Sequence, residues 1–119
     1  MLLDTTVLID LIRGVRRAAE WSRSWTAIPA CSEVSRAEVL RGAREQEIAV
    51  TERLLRDVDW IPVSEVIARR AGALGRSWSA RAVRIPELLI AATALESERE
   101  LKTANVRDFP MFPALKPPY

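Results

Sequence analysis

Histidine is absent from all 119 residues. That absence excludes imidazole general bases, Ser-His and Cys-His triads, and zinc held by histidine. Cysteine occurs once, at Cys31, so no internal disulfide can form, and a reducing, cytoplasmic setting is expected. A lone thiol also rules out a cysteine-rich metal site, and no base is at hand to activate it. No apolar run approaches the roughly 20 residues of a membrane span. No charged segment precedes the first apolar run, as a secretory signal would require, so no membrane association is expected. Lysine is nearly missing too: only Lys102 and Lys116 stand beside sixteen arginines. The chemistry left to such a chain is that of carboxylates, hydroxyls, guanidinium groups and hard metal ions.

Apolar residues make up 49% of the chain, enough for a core, and the length suits one domain spanning residues 1–119. Leu2 to Asp4 reads as a short strand ending on an acid. Val7, Leu8, Leu11 and Ile12 have helical spacing, with Gly14 closing the helix. Arg16 to Ser24 forms a second helix carrying Trp21, with Trp25 just beyond. Ala27 to Val34 is strand-like. Ser35 and Glu38 have the spacing of a capping box for a helix reaching about Glu47. Ile48 to Asp57 is helical, Trp60 to Val63 extended, and Ser64 caps a helix to about Ala80. Val83 to Ile85 is extended and delivers Pro86 as a first helical residue. Glu87 to Glu98 is apolar on most sides and should be buried. Leu101 to Ala104 is a strand, and Leu115 and Tyr119 anchor a last one. Strands alternating with helices predict an α/β fold with a central, mostly parallel sheet between two helical layers.

Acids stand at the element boundaries: Asp4 after the first strand, Glu38 and Glu87 in first helical turns, Asp108 in the loop after the last core strand. A parallel sheet gathers strand ends and the helix starts that follow them along one edge. Carboxylates crowded there repel unless a cation joins them. Oxygen donors without histidine or cysteine suit Mg²⁺ or Mn²⁺, which lower the pKa of bound water and clamp a phosphate. Phosphodiester hydrolysis is the reaction class that follows. Setting four acids aside leaves eighteen bases against twelve acids elsewhere, a surface suited to a polyanion. Each acid also has a purely local explanation: Asp4 as a helix cap, Glu38 as half of a capping box, Glu87 as a partner of the helix dipole, Asp108 as a turn residue.

Four blocks carry a resemblance: Leu3-Asp4-Thr5-Thr6-Val7-Leu8, Ser35-Arg36-Ala37-Glu38-Val39-Leu40-Arg41-Gly42, Glu87-Leu88-Leu89-Ile90-Ala91-Ala92-Thr93-Ala94, and Leu101 through Phe109. In this order and at these separations the chain resembles the PIN-domain ribonucleases, in particular the VapC-type toxins of bacterial toxin–antitoxin pairs. The resemblance implies a PIN-like three-layer α/β/α sandwich and an endoribonuclease dependent on Mg²⁺ or Mn²⁺ that cuts structured RNA such as tRNA or rRNA. It implies Asp4, Glu38, Glu87 and Asp108 as catalytic acids, with Asp4, Glu87 and Asp108 on the metal and Thr5, Thr6, Thr103 and Asn105 lining the site.

It also implies a VapB-type antitoxin, a homodimer and a toxin–antitoxin hetero-oligomer. The antitoxin's amphipathic segment would lie in a groove for which Val7, Leu11, Ile12, Trp21 and Trp25 are candidates. Two departures stand out. The family normally has Asp where this chain has Glu87, and relatives carry the acid at the Asn105 position, whereas here it falls at Asp108. The longer Glu87 side chain keeps a rival open, a PIN-fold module that binds RNA or antitoxin without efficient cleavage.

Overall fold

A computed structural model describes residues 1–119. Four short strands, β1 (Leu2–Leu3), β2 (Ala30–Ser32), β3 (Asp59–Ile61) and β4 (Leu101–Lys102), form one parallel sheet in the order β3-β2-β1-β4. Six helices connect them: α1 (Thr5–Ile12), α2 (Arg16–Ser22), α3 (Glu33–Gly42), α4 (Ile48–Arg56), α5 (Glu65–Ser77) and α6 (Ile85–Glu96). Because side chains alternate across a strand, the adjacent leucines of β1 face opposite layers. Leu2 packs with Ile90, Ala91 and Ala94 of α6, while Leu3 packs with Val7, Leu8, Val39 and Leu55 of α1, α3 and α4. The α/β/α sandwich expected from strand–helix alternation is therefore the fold. Its buried central helix is α6, whose small residues let it lie against the sheet and, through Leu88 and Ala92, against Ile67 and Ala71 of α5.

β1 and β2 each end where a helix begins, which sets the functional edge. β1 passes to α1 through Asp4, whose backbone is extended, and β2 passes to α3 through Ser32. Ser32 Oγ accepts the Val34 amide and caps α3. The capping box expected from Ser35 and Glu38 is not formed, because the helix starts two residues before Ser35. That shift turns Ser35 inward, fully buried, and frees Glu38 from a capping role. α3 also stops at Gly42 instead of running to Glu47, with a separate 3₁₀ turn over Glu45–Glu47. α2 stops at Ser22, two residues short of Ser24.

Ser64 caps α5 as expected, its hydroxyl accepting from Ile67. α6 begins at Ile85 with Pro86 in its first turn, so Ile85 is helical and the extended backbone stops at Arg84. No strand forms in the proline-rich tail. Tyr119 is nevertheless anchored: its hydroxyl donates to Asp10 Oδ2 at 2.6 Å and its ring tilts against Trp21. Asp10 is thus held by the tail on the surface of α1.

Candidate active site at the carboxyl edge of the sheet

Asp4 is 3% exposed at the end of β1. One of its oxygens, Oδ2, accepts from the hydroxyls of Thr6 at 2.9 Å and Thr103 at 2.8 Å. Those hydroxyl oxygens in turn accept backbone amides from the loop after β4, Ala104 to Thr6 at 3.1 Å and Asn105 to Thr103 at 3.0 Å. Two threonines thus tie the ends of the neighbouring strands β1 and β4 together around one carboxylate oxygen. No side-chain donor reaches Oδ1. Burial raises the Asp4 pKa above its ordinary value, and the hydroxyls of Thr103 and Thr6 with the amides of Thr5 and Thr6 only partly offset that.

The second acid is held by a different hydroxyl pair. Thr5 Oγ1 lies 2.7 Å from Glu38 Oε1 and 2.9 Å from Ser35 Oγ. A hydroxyl has one proton, and the carboxylate is the stronger acceptor, so Thr5 donates to Glu38. The sequence did not mark Ser35 as part of this arrangement. Its spacing fits a cap equally well, and only the two-residue shift of α3 decides between them.

Glu87, 7% exposed in the first turn of α6, is gripped by Arg84 through two bonds, Nη2 to Oε1 at 2.8 Å and Nε to Oε2 at 3.1 Å. This is the two-pronged geometry guanidinium and carboxylate favour. Arg84 holds its proton more firmly than usual, first through that hydrogen bonding to Glu87, with the charges of Glu87, Glu38 and Asp108 adding to it. One guanidinium therefore lies in the field of three acids. Arg84 was missed in the sequence, although its position three residues before Glu87 at a helix start is a spacing that pairs side chains. Asp108 accepts from Asn105 Nδ2 at 3.0 Å in a 3₁₀ turn over Val106–Asp108.

The edge thus carries every expected acid, but in three arrangements: Asp4 with Thr6 and Thr103, Glu38 with Thr5 and Ser35, and Glu87 with Arg84 above Asp108 and Asn105. No three acidic side chains stand together as a ready-made cage for one ion. The donors themselves suit a hard dication: all are oxygens, the most buried has an Oδ1 that no side-chain donor reaches, and its burial cost would fall beside a positive charge. Arg84 competes with such an ion for Glu87.

On the far side of the sheet edge lies an apolar cleft of about 500 Å³ lined by Leu8, Trp25, Ile28, Leu54 and Val58. Trp25 belongs to it, while Val7 has withdrawn completely into the core. Trp21 meets Trp25 edge-on with ring centroids 5.1 Å apart.

The family model described as the PIN domain matches residues 1–109. The chain belongs to the PIN-domain family. It is 44% identical to Ribonuclease VapC19 of Mycobacterium tuberculosis over 124 aligned positions, covering 99% of this chain and 98% of the relative. Ribonuclease VapC10 of the same organism is 42% identical, with 100% of this chain and 92% of the relative covered. Among solved structures, a toxin–antitoxin complex from Klebsiella pneumoniae superimposes with a TM-score of 0.85 at 34% identity, over 99% of this chain and 97% of that one.

Proposed function

We propose that this chain is the toxin of a type II toxin–antitoxin pair and acts in the cytoplasm as an endoribonuclease dependent on Mg²⁺ or Mn²⁺, cutting structured RNA such as tRNA or rRNA. The observation that carries the reading is Asp4, buried at the end of β1 with one oxygen fixed by two threonines and the other without a side-chain donor. Relatives named ribonucleases, aligned over almost their whole length, support it. A partner antitoxin is supported by the similarity to a toxin–antitoxin complex and by the cleft beside Trp25. A homodimer within the larger assembly belongs to the same reading.

Asp4, Glu87 and Asp108 are assigned to the ion, with Glu38 as a further catalytic acid. A dication held there lowers the pKa of bound water and neutralises charge on a phosphodiester. The chain's own groups do the positioning. Thr6 and Thr103 stop the Asp4 carboxylate from rotating, and Thr5 aims Glu38 in the same way. Such fixing matters because a displacement of about 1 Å at a reacting centre costs roughly a hundredfold in rate.

The bidentate hold of Arg84 on Glu87 favours a second reading, a module that binds RNA or antitoxin and cuts poorly. Cleavage of cellular RNA titrated with Mg²⁺ and Mn²⁺ separates the two, with Asp4→Ala and Glu87→Asp alongside. Metal-dependent cutting by wild type that Asp4→Ala abolishes is the expected result. Absence of cutting at every metal concentration would refute the nuclease, and a large gain in Glu87→Asp would identify the natural site as impaired.

A further inference from the structure

Beside Glu87 and Asp108, the loop between α5 and α6 and the loop after β4 enclose a recess of about 180 Å³ that also presents Arg81, Arg84 and Arg107. Three arginines and two acids line the recess, which leaves it net positive. Arg84 is engaged with Glu87, but Arg81 and Arg107 make no ion pair or side-chain hydrogen bond anywhere in the structure. Between Arg81 and Arg84 the backbone of Ala82 sits at φ 50, ψ 44, the left-handed region that L side chains avoid. Strain of this kind persists where the surroundings impose it and is concentrated at functional sites. Here it turns the chain sharply, so that residues on either side of Ala82 line one recess.

We propose that this recess is a subsite for an RNA backbone phosphate next to the one being cut, with Arg81 and Arg107 as its permanent cations and Arg84 exchanging between Glu87 and the phosphate. Guanidinium forks match the paired oxygens of a phosphodiester. The recess adjoins the acidic edge, so a strand whose scissile phosphate lies among the carboxylates has its neighbour within reach of the arginines. When Glu87 is drawn toward another cation, Arg84 loses its partner and becomes available to the anion. The proposal rests on the nuclease reading for its ligand, but not for its test.

The test is binding of a fluorescein-labelled 12-nucleotide RNA in EDTA, read by anisotropy over a range of salt concentrations. Each phosphate contact contributes about 0.7 to the slope of log affinity against log salt for single strands. Arg81→Ala and Arg107→Ala should each lower the slope, and the double variant, which loses the one recess phosphate, should lower it by about 0.7. Arg17→Ala, an exposed arginine on α2 outside the recess, should leave it unchanged. Glu87→Gln should raise affinity by freeing Arg84, and Arg84→Gln added to it should cancel the gain. Slopes in the double variant equal to wild type, or no salt-dependent binding by wild type, would overturn the subsite. RNA cleavage in Mg²⁺ with unchanged slopes sinks the subsite and spares the nuclease. Altered slopes with no cleavage at any metal level do the reverse.

Discussion

Thr103→Val is the most searching perturbation of this structure, because valine keeps the shape and removes only the hydroxyl. Thr103 is fully buried, donates to Asp4 Oδ2 at 2.8 Å and accepts the Asn105 amide at 3.0 Å. A hydrogen bond to a charged group contributes about 1.5–3 kcal/mol, and the abandoned amide adds part of another bond. The expected loss is about 2–3 kcal/mol at neutral pH, or roughly 10 °C in Tm for a domain of this size.

The pH dependence is the sharper part. Burial raises the Asp4 pKa above its ordinary 3.8, and the Thr103 hydroxyl is the strongest group opposing that rise. A carboxyl whose folded pKa exceeds its unfolded one carries more protons when folded, so wild-type stability falls as pH rises through the interval between them. Removing Thr103 lifts the folded pKa further and extends that interval upward. The deficit of the variant is therefore smallest in acid, where Asp4 is neutral in both proteins, and complete once Asp4 is ionised in both. Urea unfolding without divalent ions, from about pH 4 to pH 8, measures it. A deficit independent of pH, or one that grows toward acid, would show that Thr103 does not hold the charged form of Asp4.

Cys31 is fully buried, and burial pushes its thiol up to about 12, so a thiol reagent at pH 8 should label it only as fast as the protein unfolds. Rapid labelling of the native protein would contradict that burial. Ile90→Ala, which empties a fully buried position where α6 meets the sheet, should cost about 2–5 kcal/mol in urea unfolding; a loss under about 1 kcal/mol would mean that α6 is not packed as described. Tyr119→Phe removes the 2.6 Å bond to Asp10 beside Trp21 and should cost on the order of 1 kcal/mol with a change in tryptophan fluorescence. An unchanged spectrum and Tm would place the tail elsewhere in solution.

Much of this architecture was legible in the order of residues. The alternation of short apolar runs with helical periods specified a parallel α/β sheet, because strands buried on both faces must be apolar and must be joined by helices. Asp4 could be placed because it ends such a run. Ser64, Pro86 and the apolar α6 were readable from local capping and periodicity alone. Ser35 was misread for a physical reason: Ser32 and Ser35 both offer a capping hydroxyl, and the choice fell on Ser32 once β2 ended there and Ser35 turned to meet Thr5. The expected last strand failed because the proline-rich tail finds its anchor in side chains, through Tyr119 and Asp10.

Residue identity and spacing determined the sheet, its carboxyl edge and the acids that line it, since these follow from backbone geometry and short-range hydrogen bonding. Tertiary structure alone decided the pairings: Thr103 with Asp4 across 99 positions, Thr5 with Glu38 across 33, and Arg84, Arg81 and Arg107 around one recess. A carboxylate or guanidinium has many acceptable partners in sequence, and which one it takes depends on which strand ends the fold sets side by side.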